Sequence, residues 1–112
     1  EAVNSTTTKR IVVSIQNNGT LDFLRPDDVI EISCDLSRDG LKPVTPVKVP
    51  TAQKNMIACV KEYERLAVAA ILQQDKSLAV RALMAHPLIG SYSLAKTLVE
   101  AYLDDEQFAA WR

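Results

Sequence analysis

Hydrophobic and polar positions follow one period in the first half of this chain and another in the second. Ile11, Val12, Val13 and Ile15 form a β-branched run, which predicts a strand over residues 10–16. Asn17-Asn18-Gly19 stops it, because Asn tolerates the left-handed region and Gly occupies it freely. Arg25-Pro26-Asp27-Asp28 is a second turn. Ile30, Ile32, Cys34 and Leu36 then alternate with Glu31, Ser33, Asp35 and Ser37, a period of two that predicts a half-buried strand. Ser37-Arg38-Asp39-Gly40 reads as a hairpin turn. An extended arm carrying Leu41, Val44, Val47 and Val49 follows. Pro43 and Pro46 lack an amide donor, so the arm belongs at a sheet edge.

From Pro50 the spacing changes to three and four. Met56, Cys59, Val60, Tyr63, Ala67, Ala70 and Ile71 fall on one face of a helix over about residues 52–73, with Thr51 as its expected N-cap. Glu62, Arg65, Gln73 and Gln74 are left outward. Asp75 caps a second helix over residues 76–85, with Leu78, Ala79, Ala82 and Leu83 inward, and His86-Pro87 ends it. Ser93 is read as the start of a third helix carrying Leu94, Leu98, Ala101 and Tyr102. Asp105 caps a last short turn through Phe108 and Trp111. Strands first and helices second give an α+β class: a small, mostly antiparallel sheet over about 10–49, followed by a helical half over about 52–111.

Composition narrows the function classes. At 112 residues, with 47% hydrophobic and 24% charged, the chain has the size and balance of one folded domain. Thirteen basic against fourteen acidic residues give a formal net charge of −1, which argues against a strongly basic nucleic-acid binder. No apolar run approaches the roughly 18 residues of a membrane span. No charged start leads into an apolar stretch, so a cytoplasmic location is expected. The sequence begins at Glu1 with no Met and continues in polar residues, which is read as a single C-terminal domain, residues 1–112, cut from a longer enzyme.

Candidate chemistry is sparse. Cys34 and Cys59 sit among apolar neighbours and read as two buried free thiols; neither belongs to a CxxC zinc spacing. His86 precedes a proline at a helix end, where a structural role near the negative end of the helix dipole suffices. Asp27-Asp28 and Asp104-Asp105-Glu106 are paired acids placed where turns and caps want them. No GxGxxG and no GxxxxGK[ST] is present. Asn17, Asn18 and Gly19 are the segment best suited to meet a ligand, since a loop after a strand is a common place for substrate contacts.

Val12-Val13-Ser14-Ile15-Gln16-Asn17-Asn18-Gly19, Leu24-Arg25-Pro26-Asp27-Asp28-Val29-Ile30-Glu31-Ile32 and Ala79-Val80-Arg81-Ala82-Leu83-Met84-Ala85-His86-Pro87-Leu88 together resemble the C-terminal region of glycoside hydrolase family four. The resemblance covers about residues 10–103. It implies the C-terminal fold of the lactate/malate dehydrogenase-like glycosidases. It also implies an oligomeric parent that hydrolyses phosphorylated β-glucosides by redox-assisted elimination. That chemistry uses NAD as a hydride store and a divalent metal, usually manganese, as Lewis acid. A pair of catalytic carboxylates is not required, as family four departs from that scheme. The dinucleotide loop, the metal ligands and the catalytic tyrosine of the family match no position here. Cys34, His86, Tyr63, Tyr92 and Tyr102 therefore take none of those roles. Catalytic, cofactor and metal residues in this chain are expected to be none, and the chain alone is expected to be inactive. Asn17, Asn18 and Gly19 match a family motif and are the candidate cleft-facing turn. The expected partners are the parent's own N-terminal NAD-binding domain and further copies of itself, with no nucleic acid and no membrane. The alternatives are a free-standing α+β interaction module and a small thiol enzyme using Cys34 or Cys59 with His86.

Overall fold

The computed structural model describes residues 7–45 and 48–112. It divides into a sheet unit up to Val49 and a helical unit from Pro50. A three-stranded antiparallel sheet followed by three helices is the α+β class that the hydrophobic pattern implies.

Strands β1 (Lys9–Gln16), β2 (Val29–Ser37) and β3 (Gly40–Pro43) lie in the order β1-β2-β3. Ile11 is opposite Cys34, Val13 opposite Ile32 and Ile15 opposite Ile30. Directly opposed residues share a face of the pleat, so these six side chains stack as one apolar layer. Ile30, Ile32 and Cys34 are buried there. The other face is mostly polar, with Val12 and Val29 exposed among Ser, Glu and Asp side chains. Arg10 stands opposite Asp35, its Nε donating to Oδ1 at 2.8 Å and its Nη2 donating to Oδ2 at 3.1 Å. Ser37 pairs with Gly40 around Arg38-Asp39, and Gly40 holds a φ of 109°, which its missing Cβ allows. Pro43 lies in the edge strand β3, as its missing donor demands. The Val44 N–H continues the ladder to Ser33 O at 2.8 Å. Pro46 and Val47 of the expected arm lie outside the described residues.

The helical unit consists of α1 (Thr51–Gln73), α2 (Lys76–Ala85) and α3 (Tyr92–Tyr102), closed by a 3₁₀ turn over Glu106–Phe108. α2 packs against both α1 and α3. The buried residues of the three helices are small: Ala70 on α1, Ala82 on α2, and Ala95 and Val99 on α3, which let backbones approach closely. Asp75 Oδ1 accepts the Leu78 N–H at 3.0 Å, and Asp105 Oδ1 accepts the Gln107 N–H at 3.1 Å, so both expected caps form. Lys76 N–H donates to Arg112 O at 2.7 Å and Arg112 N–H donates to Gln74 O at 2.9 Å. This reciprocal pair ties the final residue to the α1–α2 junction, where Gln74 adopts φ 52°.

Four local expectations change. Pro50, not Thr51, occupies the N-cap of α1 and offers no side-chain hydrogen bond; its carbonyl accepts the first helical N–H, from Lys54 at 3.0 Å. Ser91, not Ser93, caps α3, accepting from Leu94 N–H at 3.4 Å. The face that α3 buries is set by Ala95 and Val99, while Leu94 and Tyr102 stay exposed. Finally, Cys59, Met56 and Ile71 are exposed rather than buried. Helix length explains the first two. At about 1.5 Å per residue α1 is more than twice as long as α2, so α2 cannot cover the N-terminal part of the stripe.

Candidate functional site

The Asn17–Gly19 turn opens an irregular loop that returns the chain from β1 to β2. Asn17 is fully buried, and every polar group it has points into that loop. Its Nδ2 donates to Leu21 O at 2.9 Å and Arg25 O at 3.1 Å, with Leu24 O at 3.4 Å. Its Oδ1 accepts the Leu21 N–H at 2.8 Å. The Asn17 N–H reaches Asp28 O at 2.7 Å, and the Asn18 N–H reaches Pro26 O at 2.8 Å. Asn17 is thus the internal brace of the loop, and the exposed members of the turn are Asn18 and Gly19. Both hold positive φ, 45° and 84°, in line with the residue types.

Asp28 closes the same loop. It is buried, and its Oδ2 accepts the Arg25 N–H at 2.9 Å. Turn chemistry is as expected for this carboxylate, but its solvation is not; Asp27 is the exposed member of the pair.

His86 forms no acid–base pair with a thiol. Its Nδ1 accepts the Leu88 N–H at 3.1 Å, and its ring meets Tyr63 edge-on with centroids 4.9 Å apart. Cys34 lies in the apolar layer of the sheet, and Cys59 is exposed on α1. Among the described residues no cluster of three His, Cys, Asp or Glu side chains could hold a metal ion. No described helix is long and apolar enough to cross a membrane.

Periodicity did not reveal the concavities of the helical unit, two of which bear on function. One, of about 340 Å³, is apolar and lined by residues that include Tyr63, Ala67, Ala82, Leu83, Tyr102 and Trp111. The other, of about 210 Å³, is a groove between α2 and α3 with Lys76, Arg81 and Lys96 at its rim. A trace of the groove is legible in the sequence, since residues 76–85 contain two cations and no acid.

Residues 1–89 match the family described as the family 4 glycosyl hydrolase C-terminal domain. The 6-phospho-beta-glucosidase BglT of Thermotoga maritima is 36% identical over 93 residues, 83% of this chain and 22% of that protein. The phospho-alpha-glucosidase PagL of Clostridium acetobutylicum is 23% identical over 103 residues, 92% of this chain and 23% of that protein. The solved structure of the Thermotoga maritima 6-phospho-beta glucosidase with manganese, NAD+ and glucose-6-phosphate superposes with a TM-score of 0.79 at 32% identity. That superposition covers 95% of this chain and 26% of that one. The chain thus spans roughly a fifth to a quarter of the length of the relatives it matches.

Proposed function

Since the chain belongs to the family 4 glycosyl hydrolases, as their C-terminal domain, we propose that it is the C-terminal portion of an NAD- and divalent-metal-dependent 6-phospho-β-glucosidase. The observation that carries this reading is the greater identity to the phospho-β-glucosidase than to the phospho-α-glucosidase. The parent would be a cytoplasmic, oligomeric enzyme that cleaves O-glycosidic bonds of phosphorylated β-linked disaccharides by redox-assisted elimination. NAD and manganese would supply hydride storage and Lewis acidity there.

The residues of this chain do not fit either group. Among the described residues there is no three-ligand metal cluster, and the sequence has no glycine-rich dinucleotide loop. The Nδ1 of the single histidine is occupied by the Leu88 N–H. No step of the reaction is therefore assigned to these residues. The chain's part is structural: the helical unit serves as a scaffold, and the Asn17–Gly19 turn presents Asn18 toward the substrate side, braced from beneath by Asn17.

The test is an assay of the purified chain and of its parent, captured from source cells with an antibody to the chain. A chromogenic 6-phospho-β-glucoside and its α-anomer serve as substrates, with and without NAD and Mn²⁺. The parent is expected to cleave the β-anomer only when both are supplied, and the isolated chain to cleave neither. Cleavage of the α-anomer alone would sink the β assignment. Turnover by the isolated chain would sink the domain reading.

A further inference from the structure

The α2–α3 groove is lined by more cationic than anionic side chains. Lys76 and Arg81 enter it from α2, Lys96 and Glu100 from α3. The contrast with α1 is direct. There Lys61 meets Glu64 at 2.7 Å and Arg65 meets Glu62 at 3.1 Å, each within one helical turn. In the groove the one carboxylate, Glu100, stands 3.9 Å from Lys96, at the outer limit of an ion pair. The side chains of Lys76 and Arg81 have no ion-pair or hydrogen-bond partner among the described residues. The nearby Asp75 carboxylate is turned to the Leu78 N–H, capping α2. Three cations against one carboxylate leave a surplus of two positive charges, in a chain whose formal net charge is −1.

The remaining walls suit a ligand. Ser77 and Tyr92 bring hydroxyls to the groove, and neither has a hydrogen-bonding partner for that group among the described residues. Val80 and Val99 add apolar side chains to the lining. The volume, about 210 Å³, admits a small molecule rather than a folded partner.

We infer that the groove between α2 and α3 binds a small phosphomonoester through Arg81, Lys96 and Lys76. A phosphomonoester carries between about one and a half and two negative charges at neutral pH, which matches the surplus. Its oxygens suit the planar fork of Arg81, while the lysines act as point charges. The site belongs to the helical unit and does not depend on the glycosidase reading, whose candidate turn belongs to the sheet unit.

The experiment is an amide NMR titration of the full chain with inorganic phosphate, at constant ionic strength held with chloride. Saturable shifts are expected at Ser77, Arg81, Tyr92 and Lys96, with millimolar affinity. Arg81→Ala keeps a good helix former at an exposed position, so the fold survives, and affinity should fall about tenfold. Glu100→Gln should tighten binding a few-fold by removing the opposing carboxylate. Glu31→Gln, on β2, makes the same change in net charge and should leave affinity unaltered. Shifts that do not saturate, an Arg81→Ala variant that binds like the original, or equal effects of the two glutamate substitutions would each overturn the assignment.

Discussion

Two side chains set the local chemistry of the sheet unit in different ways. Asn17 is buried with both ends of its amide bonded, so replacing it strands backbone groups as well as removing bonds. Asn17→Ala should lower unfolding stability by about 2–3 kcal/mol in urea melts, whereas Asn18→Gly should be close to neutral, because Gly accepts φ 45° freely. Asp35 acts at the surface. Its hydrogen bond from Arg10 holds the carboxyl below its ordinary value, with the charge of Arg10 adding to the effect and partial burial opposing it. A carboxyl that titrates lower when folded contributes stability above its unfolded pKa and loses it as pH falls through the folded one. Denaturant midpoints of Asp35→Asn should therefore lie slightly below those of the original chain at neutral pH. The two should converge in acid, the gap staying small because the pair is solvent-screened.

At the scale of elements, the α1–α2 junction offers the clearest intervention. Gln74 sits in the left-handed region at the C-cap of α1, where a side chain is a cost. Gln74→Gly should raise stability by about 0.5–1 kcal/mol, read as a higher melting temperature, while leaving the Gln74 O bond to Arg112 in place. Strand and helix identities were legible because alternation in Ile30–Leu36 and the three–four spacing in α1 are long and unmixed. Caps were less so. Ser91 and Ser93 both satisfy the N-cap chemistry, and only the geometry after Gly90, φ 57°, selects Ser91. The face of α3 was illegible for a related reason. Two apolar stripes lie side by side, and burial follows the smaller side chains that permit close approach to α2. At the candidate turn, Asn-Asn-Gly announced positive φ. It could not announce that the first Asn faces inward, since that depends on carbonyls up to eight residues away.

For the molecule as a whole, several large apolar side chains stand in solvent. Val68, Ile71 and Leu72 lie on one side of α1 with 56%, 62% and 79% of their surface exposed, and Leu88 is exposed at 84%. Side chains three and four apart form a continuous strip. The chain should self-associate with rising concentration in light scattering, and a Val68→Lys, Leu72→Lys double variant should shift the curve toward monomer. A monomer at every concentration would show that the strip has no affinity for itself.

The Asn17 brace also bears on the order in which the chain folds. Helices α1 and α2 meet across a two-residue connection and can form early from local contacts. Strands β1 and β2 are joined by residues 17–28, and closing a loop of that length costs entropy before any ladder bond repays it. One side chain bonds carbonyls at Leu21, Leu24 and Arg25, so it holds the loop's closed conformation together. The brace is then part of the barrier, and its loss should appear in stopped-flow refolding as a slower sheet phase with little change in the rate of unfolding.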